Sequence, residues 1–115
     1  MFDFQRLDVY HKAKQLHKDV VQFLKEAKTD SVTNDQLKRA SFSIMLNIAE
    51  GAGRFTKRDK KNFFIVARGS VFECAGIFDY LRDLHPKAEG SCQDFLNKLE
   101  ELSKMLYSMI RKLSE

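Results

Sequence analysis

One proline and five glycines in 115 residues leave too few turn-formers for the many tight connections of an all-β fold. Tryptophan is absent, so the aromatic content rests on ten phenylalanines and three tyrosines and brings few polar ring groups into a core. The two cysteines, Cys74 and Cys92, have no pairing signature and are expected as free thiols in a reducing compartment. No apolar run approaches the roughly 20 residues that span a bilayer. The opening MFDFQRLDVYHK lacks the uninterrupted apolar segment of a signal peptide. These absences predict a cytoplasmic chain with no membrane partner.

Apolar residues at 43% and charged residues at 31% exclude a disordered polypeptide. The length suits one domain over residues 1–115. Four segments carry helical periodicity. In residues 7–27, Val9/Tyr10, Ala13, Leu16, Val20, Phe23/Leu24 and Ala27 recur at three- and four-residue steps. A second segment starts near Thr33 or Asn34, either a good N-cap, and has Leu37, Ala40/Ser41, Ile44 and Ile48 as its stripe. It ends at Gly51 or Gly53, and Gly51 fits the left-handed residue that closes such a helix. A third opens at Thr56, with Asp59 three residues on as in a capping box, and runs to Leu84 before the His85-Pro86 stop. The fourth, capped by Ser91, carries Phe95, Leu99, Leu102, Leu106, Met109 and Leu113. Short connections between segments of this length predict an all-α fold, an antiparallel up-down four-helix bundle.

The third segment has more apolar surface than a helix packed on one side requires. One stripe is Phe63, Val66/Ala67, Ser70, Cys74, Ile77, Leu81 and Leu84; a second holds Phe64, Val71, Ala75 and Phe78, with Phe72 beside it. The second stripe is the expected oligomer interface, with Gly69 and Gly76 marking close backbone approach there.

The net charge is +4, and the stretch 54–61, RFTKRDKK, accounts for all of it. Arg54, Lys57, Arg58, Lys60 and Lys61 are therefore candidates for contacting RNA or DNA phosphates. The alternative partner is an acidic protein, such as a polymerase subunit. Phe55, among these cations, either stacks on an unpaired base or, the reading we adopt, acts as a hydrophobic staple before the Thr56 cap.

Polar residues on helical faces complete the pattern. Asn47 falls between Ile44 and Ile48, Arg39, Ser43 and Glu50 lie on the adjoining face, and Glu73 sits at helical spacing on the third segment. We expect a structural network among Arg39, Asn47, Glu50 and Glu73, with Arg39 pairing Glu50 or Glu73 to fix helix register.

No catalytic set is found, so no enzyme, cofactor or metal is expected. His11 and His17 are six apart, off the four-residue spacing of a helical zinc pair. His85 and Cys92 lack a second pair of ligands, and Cys74 on an apolar stripe reads as a small core residue. AEGAGR lacks the strand, lysine and hydroxyl placement of a phosphate loop.

QLKRASFSIMLNIAEGAGR at residues 36–54, LDVYHKA at 7–13 and FFIVARGSVFE at 63–73 give the chain a family likeness. It resembles the bacterial four-helix-bundle family named for proteins encoded in intervening sequences of large-subunit ribosomal RNA genes. The accessory variability protein of diversity-generating retroelements is similar. The likeness covers nearly the whole chain and departs where the family often has Ile-Pro-Ser: here Ile44, Met45 and Leu46 stand. The resemblance implies an up-down bundle, a homo-oligomer of pentameric ring form, a basic surface suspected of nucleic-acid binding, and no enzymatic activity.

Overall fold

A computed structural model describes residues 1–115. Four helices account for most of the chain: α1 (Asp8–Glu26), α2 (Ser31–Ala52), α3 (Lys57–Leu84) and α4 (Glu89–Leu113). Short 3₁₀ turns, Asp3–Arg6 and Pro86–Ala88, precede α1 and α4. The helices form an antiparallel four-helix bundle about 44 Å long, with α3 packed along both α2 and α4 and α1 completing the ring.

Local chemistry sets most boundaries. The Thr56 hydroxyl accepts from the Asp59 backbone amide at 3.1 Å, the expected N-cap of α3. The second helix starts earlier than Thr33 because Asp30 caps it, accepting from Thr33 N–H at 2.8 Å. Ser91 caps nothing; α4 begins at Glu89, continuing from the turn that Pro86 opens.

The core is a seam on α3 and α4 repeating every seven residues. On α3 the buried positions are Phe64, Ala67, Val71, Cys74, Phe78 and Leu81; on α4 they are Cys92, Phe95, Leu99, Leu102 and Leu106. Such alternation of three- and four-residue steps is the knobs-into-holes pattern of bundle helices. Phe78 stacks on Phe95 with centroids 4.3 Å apart, and Phe23 of α1 meets both edge-on at 5.6 and 5.5 Å. One aromatic cluster thus ties three helices together.

This geometry corrects the expected interface. Phe64, Val71 and Phe78 are core residues, and Ala75 is half-buried against the core. Their stripe interleaves with Ala67, Cys74 and Leu81 to make a single inward face. Burial pushes the Cys74 thiol up to about 12, as a packed core cysteine requires.

Glycine roles are corrected as well. Gly51 is not left-handed: no residue has positive φ, and Gly51 is a buried helical position. A Cβ there would lie 2.7 Å from Phe64 Cε1 and 3.0 Å from Phe63 Cβ, so its missing side chain is what seats α3 against α2. Gly69 and Gly76 have open space beside them instead.

His17 of α1 bonds through Nδ1 to the Ser41 hydroxyl of α2 at 2.7 Å and packs near the Phe42 ring. Its partial burial lowers its pKa. A depressed histidine pKa favours folding above the unfolded value and opposes it below, because the unfolded chain then binds the extra proton.

Gly51→Ala costs about 1–3 kcal/mol by overpacking, whereas Gly53→Ala, with nothing closer than 3.6 Å, is close to neutral; urea denaturation of the pair measures the contrast. Melting temperature falls as pH drops from 6.5 through the lower folded pKa of His17, and His17→Gln removes that part of the fall.

Candidate nucleic-acid interface

Antiparallel packing gathers the candidate cations at one end of the bundle. Ile65 shares a groove with Ile110, and Arg68 lies by Tyr107, with its guanidinium carbon 5.5 Å from the ring centre. That register brings Arg111 and Lys112, at the end of α4, level with the first turns of α3. The N-terminal turn lies at the same end, lining a cleft with Ala49, Glu50 and Arg54. Arg111 and Lys112 were not singled out in the sequence; chain order separates them from residues 54–61 by some fifty positions.

The five cations expected to bind phosphate divide into two kinds. Arg54 faces Glu50 at 3.7 Å, and its guanidinium lies 4.4 Å from the Phe63 ring centre. Lys60 donates to the Ala52 carbonyl at 2.9 Å and so terminates α2, where the helix dipole favours a cation. Lys57 and Arg58 are exposed, Lys61 is half-buried, and none of the three is held in an ion pair. Phe55 is fully exposed, which removes the staple reading.

The expected polar network is not formed. Arg39, Glu50 and Glu73 are all exposed, and Arg39 pairs with neither acid. The polar link between α2 and α3 is made by smaller groups. Asn47 donates to the Ser43 carbonyl at 2.8 Å and hydroxyl at 3.0 Å, and the Ser43 and Ser70 hydroxyls bond at 2.9 Å. Arg39, Glu50 and Glu73 keep their charged groups in solvent, where hydration satisfies them, and the short Ser43 and Ser70 side chains are the ones that meet across the helices.

The outward face of α3 carries Ile65, Gly69, Phe72, Gly76 and Tyr80 at steps of three and four residues, with only the glycines lacking a side chain. Grooves flank it on both sides. One, of about 450 Å³, lies between α3 and α4 and holds Gly69, Phe72 and Tyr107; the other, of about 390 Å³, lies between α2 and α3 and holds Val32, Gly76 and Tyr80. Arg68 spans the first, donating to the Ser103 carbonyl at 3.2 Å with its guanidinium near Phe72.

Groupings that could support chemistry are few. His11 Nε2 is bonded to the Gln5 carbonyl at 2.7 Å, His17 to Ser41, and both thiols are buried and raised in pKa by that burial. No group of three or more His, Cys, Asp or Glu side chains gathers as a metal site needs. No helix is long and apolar enough to cross a membrane.

Comparison with known proteins agrees with this architecture. The model for the 23S rRNA-intervening sequence protein family matches residues 5–108. A crystal structure of a protein of unknown function from the S23 ribosomal protein family of Bacteroides thetaiotaomicron superposes with a TM-score of 0.81. The two share 22% identity over 89% of this chain and 97% of the other, a likeness of fold. No curated protein matches the chain.

Ser43→Ala and Ser70→Ala are each expected to cost about 1 kcal/mol and to combine non-additively. Arg39→Ala and Glu73→Ala should stay within about 0.5 kcal/mol and add independently. Double-mutant cycles by chemical denaturation test both statements.

Proposed function

The chain belongs to the 23S rRNA-intervening sequence protein family, and from that premise we propose that it is a non-enzymatic, self-associating protein that binds RNA or DNA through the basic end of its bundle. The observation that carries the reading is the concentration of the whole net charge, +4, in residues 54–61, the connection after α2 and the first turn of α3, with Lys57 and Arg58 free of acidic partners. Cations without a structural partner on a rigid helix end are suited to phosphate neutralisation, which gives affinity with little sequence preference.

Self-association is supported by the outward face of α3. Ile65, Val66, Phe72 and Tyr80 are exposed, and the open space at Gly69 and Gly76 would let a second backbone approach. This face takes the place of the stripe of Phe64, Val71, Ala75 and Phe78. The surplus of apolar surface on α3 remains the argument, carried by different residues.

Two variants test the proposal. Phe72→Glu should shift the protein to monomer at micromolar concentration with helical content retained, as read by native mass spectrometry and circular dichroism. Five copies is the number implied by the family resemblance. Lys57→Glu with Arg58→Glu should weaken RNA and DNA alike by about tenfold or more and flatten the log K against log salt slope by about 1.5–2. Lys60 is left intact because it closes α2. No binding to RNA or DNA at low salt would reject the nucleic-acid reading and leave the basic end to an acidic protein partner.

A further inference from the structure

A cleft of about 640 Å³ opens between the N-terminal 3₁₀ turn and the α2–α3 turn. Phe2, Phe4 and Phe55 line it, along with Asp3, Glu50 and Asp59. Phe2 and Phe4 are stacked at 5.7 Å and 11°, and Phe4 is backed by Tyr10 at 4.7 Å, so a packed row of rings supports this wall from behind. Phe55 contributes to the same cleft with its ring fully exposed and no aromatic partner of its own. Lys57 and Arg58, two and three residues beyond it, are exposed and have no ion pair.

We infer that this cleft receives an unstacked base of a single-stranded nucleic acid, with Phe55 as the stacking platform and Lys57 and Arg58 holding the adjoining phosphates. The inference rests on the nucleic-acid reading above and narrows it to one class of ligand. Charge decides what enters and what stays outside. Arg54 also lines the cleft but faces Glu50, which leaves Asp3 and Asp59 as carboxylates with no cation paired to them; these disfavour a phosphate inside, while their oxygens can accept from the amino and imino groups of a base edge. The strand therefore runs along the basic turn and turns a base inward. Aromatic stacking of this kind tolerates any base, because every base has a π-face. A duplex keeps its bases stacked and paired, and so leaves Phe55 unused.

The chain has no tryptophan, so Phe55→Trp introduces a single indole at the platform. Probes are RNA and DNA single strands about 12 nucleotides long and the matched duplexes, titrated at low salt. The inference expects Phe55→Trp to retain single-strand affinity and its emission to be quenched by single strands. It expects Phe55→Ala to lower single-strand affinity by about 5- to 100-fold, with duplex affinity and the salt slope unchanged. Because Phe55 is fully exposed, both variants should fold as the parent does, which circular dichroism checks. Salt-dependent binding with an unquenched indole, or with Phe55→Ala silent on single strands, overturns the base cleft and leaves the basic interface standing. An equal loss on duplex and single strand in Phe55→Ala also overturns it. Failure of the parent protein to bind any of the probes overturns both readings.

Discussion

The stack of Phe78 on Phe95, with Phe23 against both, is the contact on which the rest of the arrangement depends. It fixes α3 and α4 in register near one end of their common seam, and the seven-residue alternation carries that register to the other end. Once this is set, Arg68 meets Ser103 and Tyr107, and the start of α3 lies beside the finish of α4. Gly51 performs the matching task between α2 and α3, because Phe64 occupies the space its side chain would fill. The Gly51–Phe64 fit thus closes off the two ends of residues 54–61, and Lys57 and Arg58 project from the first turn of α3.

That placement explains the division among the five turn cations. Arg54 and Lys60 satisfy groups of the α2 terminus, a carboxylate at Glu50 and a carbonyl at Ala52. A helix end leaves its last carbonyls without intrahelical partners, and a lysine from the next helix is one way to satisfy them. Lys57 and Arg58 point away from this work. A run of positive charge in a sequence looks uniform; only the fold separates the cations that hold the chain from those left exposed.

The four helices, the Thr56 cap and the stop at His85-Pro86 were legible because each has a local cause. Periodicity reports that a helix has an apolar face, but on α3 apolar residues run most of the way round, and phase then depends on neighbours. Phe64, Val71 and Phe78 could be set apart as a second stripe only because Ala67, Cys74 and Leu81 were assigned to the first; together they form one seam. Residues with no local signature were the least legible. Arg39 and Glu73 had suitable charge and spacing for a network, yet the helices meet through Ser43 and Ser70. Gly51 fits a helix stop by residue type, whereas its close fit to Phe64 depends on a residue thirteen positions away.

Helix α3 carries both of the surfaces to which function is assigned, and this couples them. Its first turn bears Lys57 and Arg58, and the outward face of the same helix bears Ile65, Gly69, Phe72, Gly76 and Tyr80. A contact between copies along that face would hold the basic ends at fixed spacing, because no flexible linker lies between seam and charge. Ring closure would then present several copies of a patch that is weak alone, and simultaneous engagement raises the effective concentration of each further patch. The span between patches would be set by the bundle rather than by a disordered arm. A long or folded polyanion able to reach two patches gains from this, whereas a short strand engages one. A charge of +4 over residues 54–61 is modest for holding a polyanion, and its repetition through α3 is what would make so small a patch sufficient.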